Sequence, residues 1–358
     1  MPDNSSLPVE IVGVCLYLAS LIVCDVLNWR CHIGQPIVPY ECRRPVPWQG
    51  VDLAFVFLAF LLVGGVAVHA IGKSDGNGRP ALGSKQSSAE KAVDRTKDSA
   101  DKDQARVEPL SRSELIADIA VRLLTGAVAV GLVVYRVRAT SSDLGISSSN
   151  WSSDLRRGGL TFVAACFPVL SVQAVLEHFV PYEHGLVETV KSRPELSMLV
   201  LTGISAVVVA PLFEEFLFRV LIQGCFEAVE AKRRWLLVAR WSPRPTASAT
   251  QAAGTSAEPG SEINPERSLA APARSAPTEA ELTAMGGPAA WPIVVTSALF
   301  ALMHLGQGAA PIPLFIFSLF LGYVYQRTHR IWPSLVAHML LNGSSMATLW
   351  YLLMNPVK

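Results

Sequence analysis

Charge is scarce in this chain. Of its 358 residues only 16% are Asp, Glu, Lys or Arg, against 51% hydrophobic, and the formal net charge is +1. So small a balance excludes the basic footprint by which proteins hold nucleic acid or another polyanion. Also missing are a CxxC pair, zinc-knuckle spacing and an HExxH helix, so no single segment carries a ready-made metal site. The six cysteines are scattered: Cys15, Cys24, Cys166 and Cys225 sit in apolar stretches, while Cys31 and Cys42 share a loop and could pair only in an oxidising compartment. No basic n-region precedes the first apolar run, and Asp25 and Trp29 stand where a small-residue cleavage site belongs. That run therefore reads as a retained first span, not a signal peptide.

What the chain has instead is long apolar runs. Crossing about 30 Å of hydrocarbon takes roughly 20 helical residues. Windows of that kind fall at Val9–Asn28, Val51–Ile71, Leu115–Tyr135 and Leu160–Val180; Leu196–Val209 runs on through Pro211 into Phe213–Cys225; Pro292–Gly306, Ile312–Tyr325 and Ser334–Met354 complete the series. The fold class is an all-α, polytopic membrane helix bundle of about eight transmembrane helices, a multi-pass integral membrane protein whose first partner is the lipid bilayer. The spans group into residues 1–195, with a polar loop at 74–112, and residues 196–358, with an insertion at about 242–288. Both interruptions lack the apolar periodicity that offsets ordering entropy and read as disordered loops or tethers.

Lys and Arg near the span ends collect on one side, at Arg30, Arg43, Arg44, Arg136, Arg138, Arg156, Arg157, Lys232–Arg234, Arg327 and Arg330, which places that side in the cytoplasm. The basic residues of the long 74–112 loop pull the other way but carry less orienting weight. Two spans open alike, at Trp291-Pro292 and Trp332-Pro333, with an interfacial aromatic and a proline suited to a first helical turn.

Ionisable side chains then recur inside the apolar helices, where charge is costly and marks functional sites. Glu214-Glu215-x-x-x-Arg219 follows Pro211, which is expected to kink or restart the helix and leave both acids in a first turn. Glu215 and Arg219 are placed for a same-face ion pair. Glu214 points about 100° away, without an obvious partner. An unmatched acid in a low-dielectric site makes a candidate general base. The bland alternative is an intrahelical charge cluster that fixes packing. Phe300-x-x-x-His304 puts a histidine on the Phe300 stripe; alone it would be a capping or packing residue. His338-x-x-x-Asn342 sets two hydrogen-bonding side chains one turn apart, either as interhelical glue or as an oxyanion-stabilising pair.

The order Glu-Glu-x-x-x-Arg, Phe-x-x-x-His, His-x-x-x-Asn resembles the type II CAAX prenyl endopeptidase and bacteriocin-processing (CPBP) family of intramembrane proteases. Leu321-Gly322-Tyr323-Val324-Tyr325-Gln326-Arg327-Thr328 and Ile331-Trp332-Pro333-Ser334-Leu335-Val336-Ala337-His338 are similar to that family's approach to its last motif. The resemblance covers Ser197 to Gly343, and the 242–288 insertion is long for it. It implies that residues 196–358 are a catalytic membrane domain hydrolysing a peptide bond of a membrane-associated protein or peptide. Glu214 and His304 would activate water, Glu215 and Arg219 would hold the site, and His338 and Asn342 would stabilise the oxyanion.

Two chemistries fit such a set. One uses no cofactor; the other takes Zn²⁺ on Glu214, His304 and His338. A transporter or proton relay would also bury such residues but would more typically carry an internal repeat, which the two halves lack. A non-catalytic scaffold or immunity protein of the same fold is the third class. A bacterial chain of this kind is expected in the plasma membrane.

Overall fold

In a computed structural model of the chain, residues 7–41, 43–74, 110–146, 150–180, 185–192, 195–241 and 288–355 are described. Nearly all of the 74–112 and 242–288 segments read as disordered falls outside them. So does Cys42, and with it any pairing to Cys31.

Among the described residues every regular element is helical: α1 (Leu7–His32), α2 (Gly50–Ser74), α3 (Arg112–Val137), α4 (Trp151–Glu177), α5 (Gly185–Ser192), α6 (Leu196–Gly203), α7 (Ala210–Glu215), α8 (Gly224–Trp241), α9 (Trp291–Leu302), α10 (Pro311–Thr328) and α11 (Ile331–Met354). Four helical stretches are long and apolar enough to cross a bilayer: Pro8–His32, Arg112–Val137, Trp151–Glu177 and Leu196–Leu236; Gly50–Val66 and Trp291–Leu302 are shorter apolar helices. In α10 and α11, Gln326, Arg327, His338, Asn342, Ser344 and Ser345 dilute the hydropathy.

Residues Met1–Cys225 and Ala290–Lys358 form one compact unit. Its centre is α4, which packs lengthwise on α10 and α11. Ala165, Val169, Phe317, Leu321 and Ala337 are buried at that junction. Gly158 allows the close approach, since a Cβ there would lie 2.8 Å from the Pro333 carbonyl oxygen. The second unit, Phe226–Ala289, is described over its helical start, where Glu230 pairs with Arg233 and Arg234 one turn along, both at 2.8 Å.

Pro168 and Pro211 lie beyond the first turns of their helical stretches, and in each case another helix replaces the donor that proline lacks. Pro168 cannot donate to Ala164, one turn back in α4. The Ala164 carbonyl takes the Cys24 thiol at 3.3 Å and the Ser20 hydroxyl at 3.5 Å from α1, while Ser20 Oγ accepts from the Phe167 amide at 2.7 Å. Hydrocarbon offers no water to do this, so the bond must come from within the bundle.

Pro211 does not restart the helix. Between α6 and α7 the chain stays helical through Ile204–Val209 by widening to π-helical i→i+5 bonding, seen where the Ala210 amide donates to Ser205 O. The next bond in that register would run from Pro211 to the Ala206 carbonyl, and Asn342 Nδ2 of α11 supplies it at 2.8 Å. A second π-helical stretch, Phe216–Gln223, follows α7. Glu214 and Glu215 therefore lie mid-helix, without the free amides of a helix start.

At the arginine-rich end, a segment after α1 is tied across the bundle. Glu41 accepts from Arg157 at 2.8 Å and pairs with Arg330, which also grips Asp154 at 2.8–3.0 Å. Arg44 pairs with Asp143 at 2.9 Å, Arg43 donates to the Tyr325 hydroxyl at 3.0 Å, and the buried Trp48 indole donates to Leu221 O at 3.0 Å. Burial pushes the Glu41 carboxyl up, but hydrogen bonds from Arg330 and Arg157 outweigh it and hold it below the ordinary carboxylate value. Asp143 is lowered likewise, burial being overcome by bonds from Arg44 and Thr140. Several arginines assigned to the cytoplasmic side thus meet at one end of the fold.

Candidate active site

The three polar clusters come from three helices, the one that begins at Leu196, α9 and α11, and the short connections decide how they meet. α9, α10 and α11 are joined by residues 303–310 and 329–330, so they run up, down and up. At 1.5 Å per residue α9 reaches only about 18 Å, well short of a bilayer core. His304 lies just beyond its end, in a turn and not on a helix as expected. His304 follows Trp291 by thirteen positions and His338 follows Trp332 by six, a difference of about 10 Å in rise along their helices. Both rings reach the buried Phe300 ring, His304 at 4.8 Å and His338 at 5.8 Å between centroids.

Glu215 and Arg219 form the same-face pair their spacing dictates. Arg219 Nε donates to Glu215 Oε2 at 3.2 Å with both side chains fully buried. Arg219 Nη2 donates to Ser318 Oγ of α10 at 2.8 Å, and its guanidinium carbon lies 5.6 Å from the Phe300 ring. Desolvating two ions is offset only when further hydrogen bonds complete the set, which Ser318 and His338 help to do. His338 Nδ1 lies 2.9 Å from Glu215 Oε1. Carried on Nδ1, the imidazole proton bonds that carboxylate and leaves Nε2 as the free face.

That free face meets the other acid. His338 Nε2 is 3.8 Å from Glu214 Oε2, and on the opposite side Glu214 Oε1 is 3.6 Å from Arg122 Nη1. Glu214, expected to have no local partner, therefore lies between a guanidinium of α3 and an imidazole of α11. Its side chain is 17% exposed against 3% for His338, so it is the more accessible member. Arg122 is anchored from behind by Asp118, at 2.9 and 3.0 Å from Nε, and Asp118 Oδ2 lies 3.5 Å from Ser205 Oγ. Neither Asp118 nor Arg122 stood out in the sequence, yet Asp118-x-x-x-Arg122 in an apolar span carries the same signal as Glu215-x-x-x-Arg219.

The remaining residues are placed differently from their expected roles. Asn342 belongs to the same helix as His338, but its amide is committed to Ala206 O and does not share a focus with the imidazole. His304 Nδ1 is 2.8 Å from Phe300 O, which fixes the ring and leaves Nε2 as its other face. No hydrogen bond or ion pair joins Glu214 to His304 among the described residues. Among the described residues no group of three His, Cys, Asp or Glu side chains forms a metal-binding set.

A carboxylate held between a guanidinium and an imidazole, the imidazole itself braced by a buried carboxylate, is an arrangement suited to activating water. Residues 274–344 match the family model of Rce1-like type II CAAX prenyl endopeptidases. This agrees with the CPBP resemblance, and the matched stretch carries the Phe300–His304 and His338–Asn342 motifs. No curated protein and no solved structure matches the chain. The matched family is one of proteases, and with several long apolar helices the chain is an integral membrane protein.

Proposed function

We propose that the protein is an intramembrane endopeptidase in which Glu214 is the general base. The observation that carries this reading is the approach of Glu214 to His338 at 3.8 Å. Glu214 lies outside the matched stretch and His338 within it, and the fold brings the two side chains together. Its substrate is a membrane-associated protein or peptide; a prenylated CAAX tail is the class that the matched family's name supplies.

In the reaction a water between Glu214 and the histidines gives its proton to Glu214 as its oxygen attacks the scissile carbonyl. Glu214 then returns that proton to the departing amine as the carbon–nitrogen bond breaks. Glu215 and Arg219 hold His338, and the Phe300 carbonyl holds His304. Asn342 reaches the developing oxyanion by exchanging its bond to Ala206 O, and His338, when it carries a proton on Nε2 as well as Nδ1, donates to the same oxygen. No step needs a metal in this scheme. Eight spans make up the bundle: α1 to α4, the helix that begins at Leu196, and α9 to α11. Residues 196–358 are the catalytic part, and the arginine-rich end faces the cytoplasm of a plasma membrane.

The test uses purified protein in liposomes and a fluorescence-quenched CAAX peptide with a prenylated cysteine. Wild-type protein cleaves it and Glu214→Gln does not. Full turnover by a correctly folded Glu214→Gln protein would overturn the assignment.

A further inference from the structure

We propose that Arg122 of α3, a helix outside every recognised motif, is a positioning residue that holds the Glu214 carboxylate in its water-activating orientation. This rests on the reading of Glu214 as base and names a residue that the motifs do not.

A glutamate's terminal torsion is broad, so a carboxylate with one partner can rotate away from it. Glu214 has two partners on opposite sides: Oε1 faces Arg122 and Oε2 faces His338. Rotation of the group would break both contacts together. The guanidinium is itself prevented from following, because its Nε is bound to both oxygens of Asp118, and Asp118 reaches Ser205 on the stretch leading into Glu214. The whole forms one alternating series, Asp118, Arg122, Glu214, His338, Glu215 and Arg219, carried by α3, α7, α11 and the π-helical turn after α7. An anion at bilayer depth requires a compensating charge, and Glu215 already occupies Arg219. Arg122, which Asp118 holds through Nε, turns its Nη1 to Glu214 and is the cation that faces it.

An ordinary interhelical ion pair would also join α3 to α7, and the experiment separates the two. With the quenched prenylated peptide in liposomes, Arg122→Gln should lower kcat about tenfold to a hundredfold while KM changes less than about threefold, the loss expected when a reacting group is misplaced. Arg122→Lys keeps the charge and should recover part of that loss. Asp118→Asn should cost turnover when Arg122 is present and nothing further in Arg122→Gln. A substrate-free measurement runs in parallel: the Tm loss of Arg122→Gln/Glu214→Gln should fall short of the summed single losses by roughly 2–4 °C. Unchanged kcat in folded Arg122→Gln, or additive Tm losses, overturns the proposal. If Arg122→Gln does not fold, Arg122→Lys decides: an undiminished kcat with KM raised instead rejects positioning. Active Glu214→Gln would overturn the peptidase reading itself; inactive Glu214→Gln with fully active Arg122→Gln would overturn only the role of Arg122.

Discussion

Asn342 donates its side-chain amide to the carbonyl of Ala206, the acceptor that Pro211 cannot serve, at 2.8 Å. One residue thus repairs the helix that carries Glu214 and belongs to the helix that carries His338. The bond couples the two halves of the site through their backbones. Asn342→Ala should lower stability by about 1 kcal/mol, the usual net worth of such a bond, because it strands a carbonyl in hydrocarbon. In a Pro211→Ala background an amide is restored beside that carbonyl, and Asn342→Ala should cost measurably less. Thermal unfolding of the four proteins in detergent reads this coupling; equal costs in both backgrounds would show that the two residues act separately.

Much of this arrangement was legible in the sequence, because apolar length and four-residue spacing are local properties. They placed the helices, the Glu215–Arg219 pair and the three motifs. What stayed hidden depends on partners far along the chain. Proline chemistry predicts a break at Pro211, and only Asn342, on a later helix, lets the π-helical turn carry the chain through. Glu214 looked unpaired because its partners, Arg122 and His338, lie on other helices. Asp118 and Arg122 have the same four-residue acid-first spacing as Glu215 and Arg219, but they lie outside the three ordered motifs, which all fall beyond Leu196.

Glu215 and Arg219 predict an asymmetric response to mutation. Glu215→Gln leaves a buried guanidinium without its counter-ion and frees the Nδ1 face of His338. Removing one partner of a buried pair typically costs about 3–5 kcal/mol, so the yield of folded protein should fall sharply. Glu215→Leu/Arg219→Met removes both charges and should restore folding better than either single change, while leaving His338 unbraced and the protein inactive. Size-exclusion profiles and thermal midpoints report the folding; the peptide assay reports the rest.

The arginine-rich end predicts acid sensitivity. Glu41 and Asp143 have folded values held below their ordinary 4.5 and 3.8 by arginine partners that outweigh the effect of burial. A lowered carboxylate stabilises the fold fully above its unfolded value, and that contribution is lost as pH falls through the folded value. Thermal midpoints should therefore be flat above about pH 5 with respect to these groups and decline below it. Glu41→Gln should flatten part of the decline. An unaltered acid limb in Glu41→Gln/Asp143→Asn would remove these residues from its cause.

The sharpest prediction separates the base from the oxyanion group and from a metal. Glu214→Gln keeps the volume of the side chain but cannot take a proton, so turnover should vanish while the protein stays folded in the membrane. Asn342→Ala should retain residual turnover, because loss of one oxyanion donor typically costs about 10²–10³ in rate. Its thermal loss, measured alongside, separates the structural bond to Ala206 from that catalytic share. In the metal-free scheme, where Glu214 works between Arg122 and His338, exhaustive chelation should leave the wild-type rate unchanged. A rate that disappears on verified metal removal and returns with Zn²⁺ would replace the metal-free scheme with one in which the histidines and Glu214 move together to bind the ion.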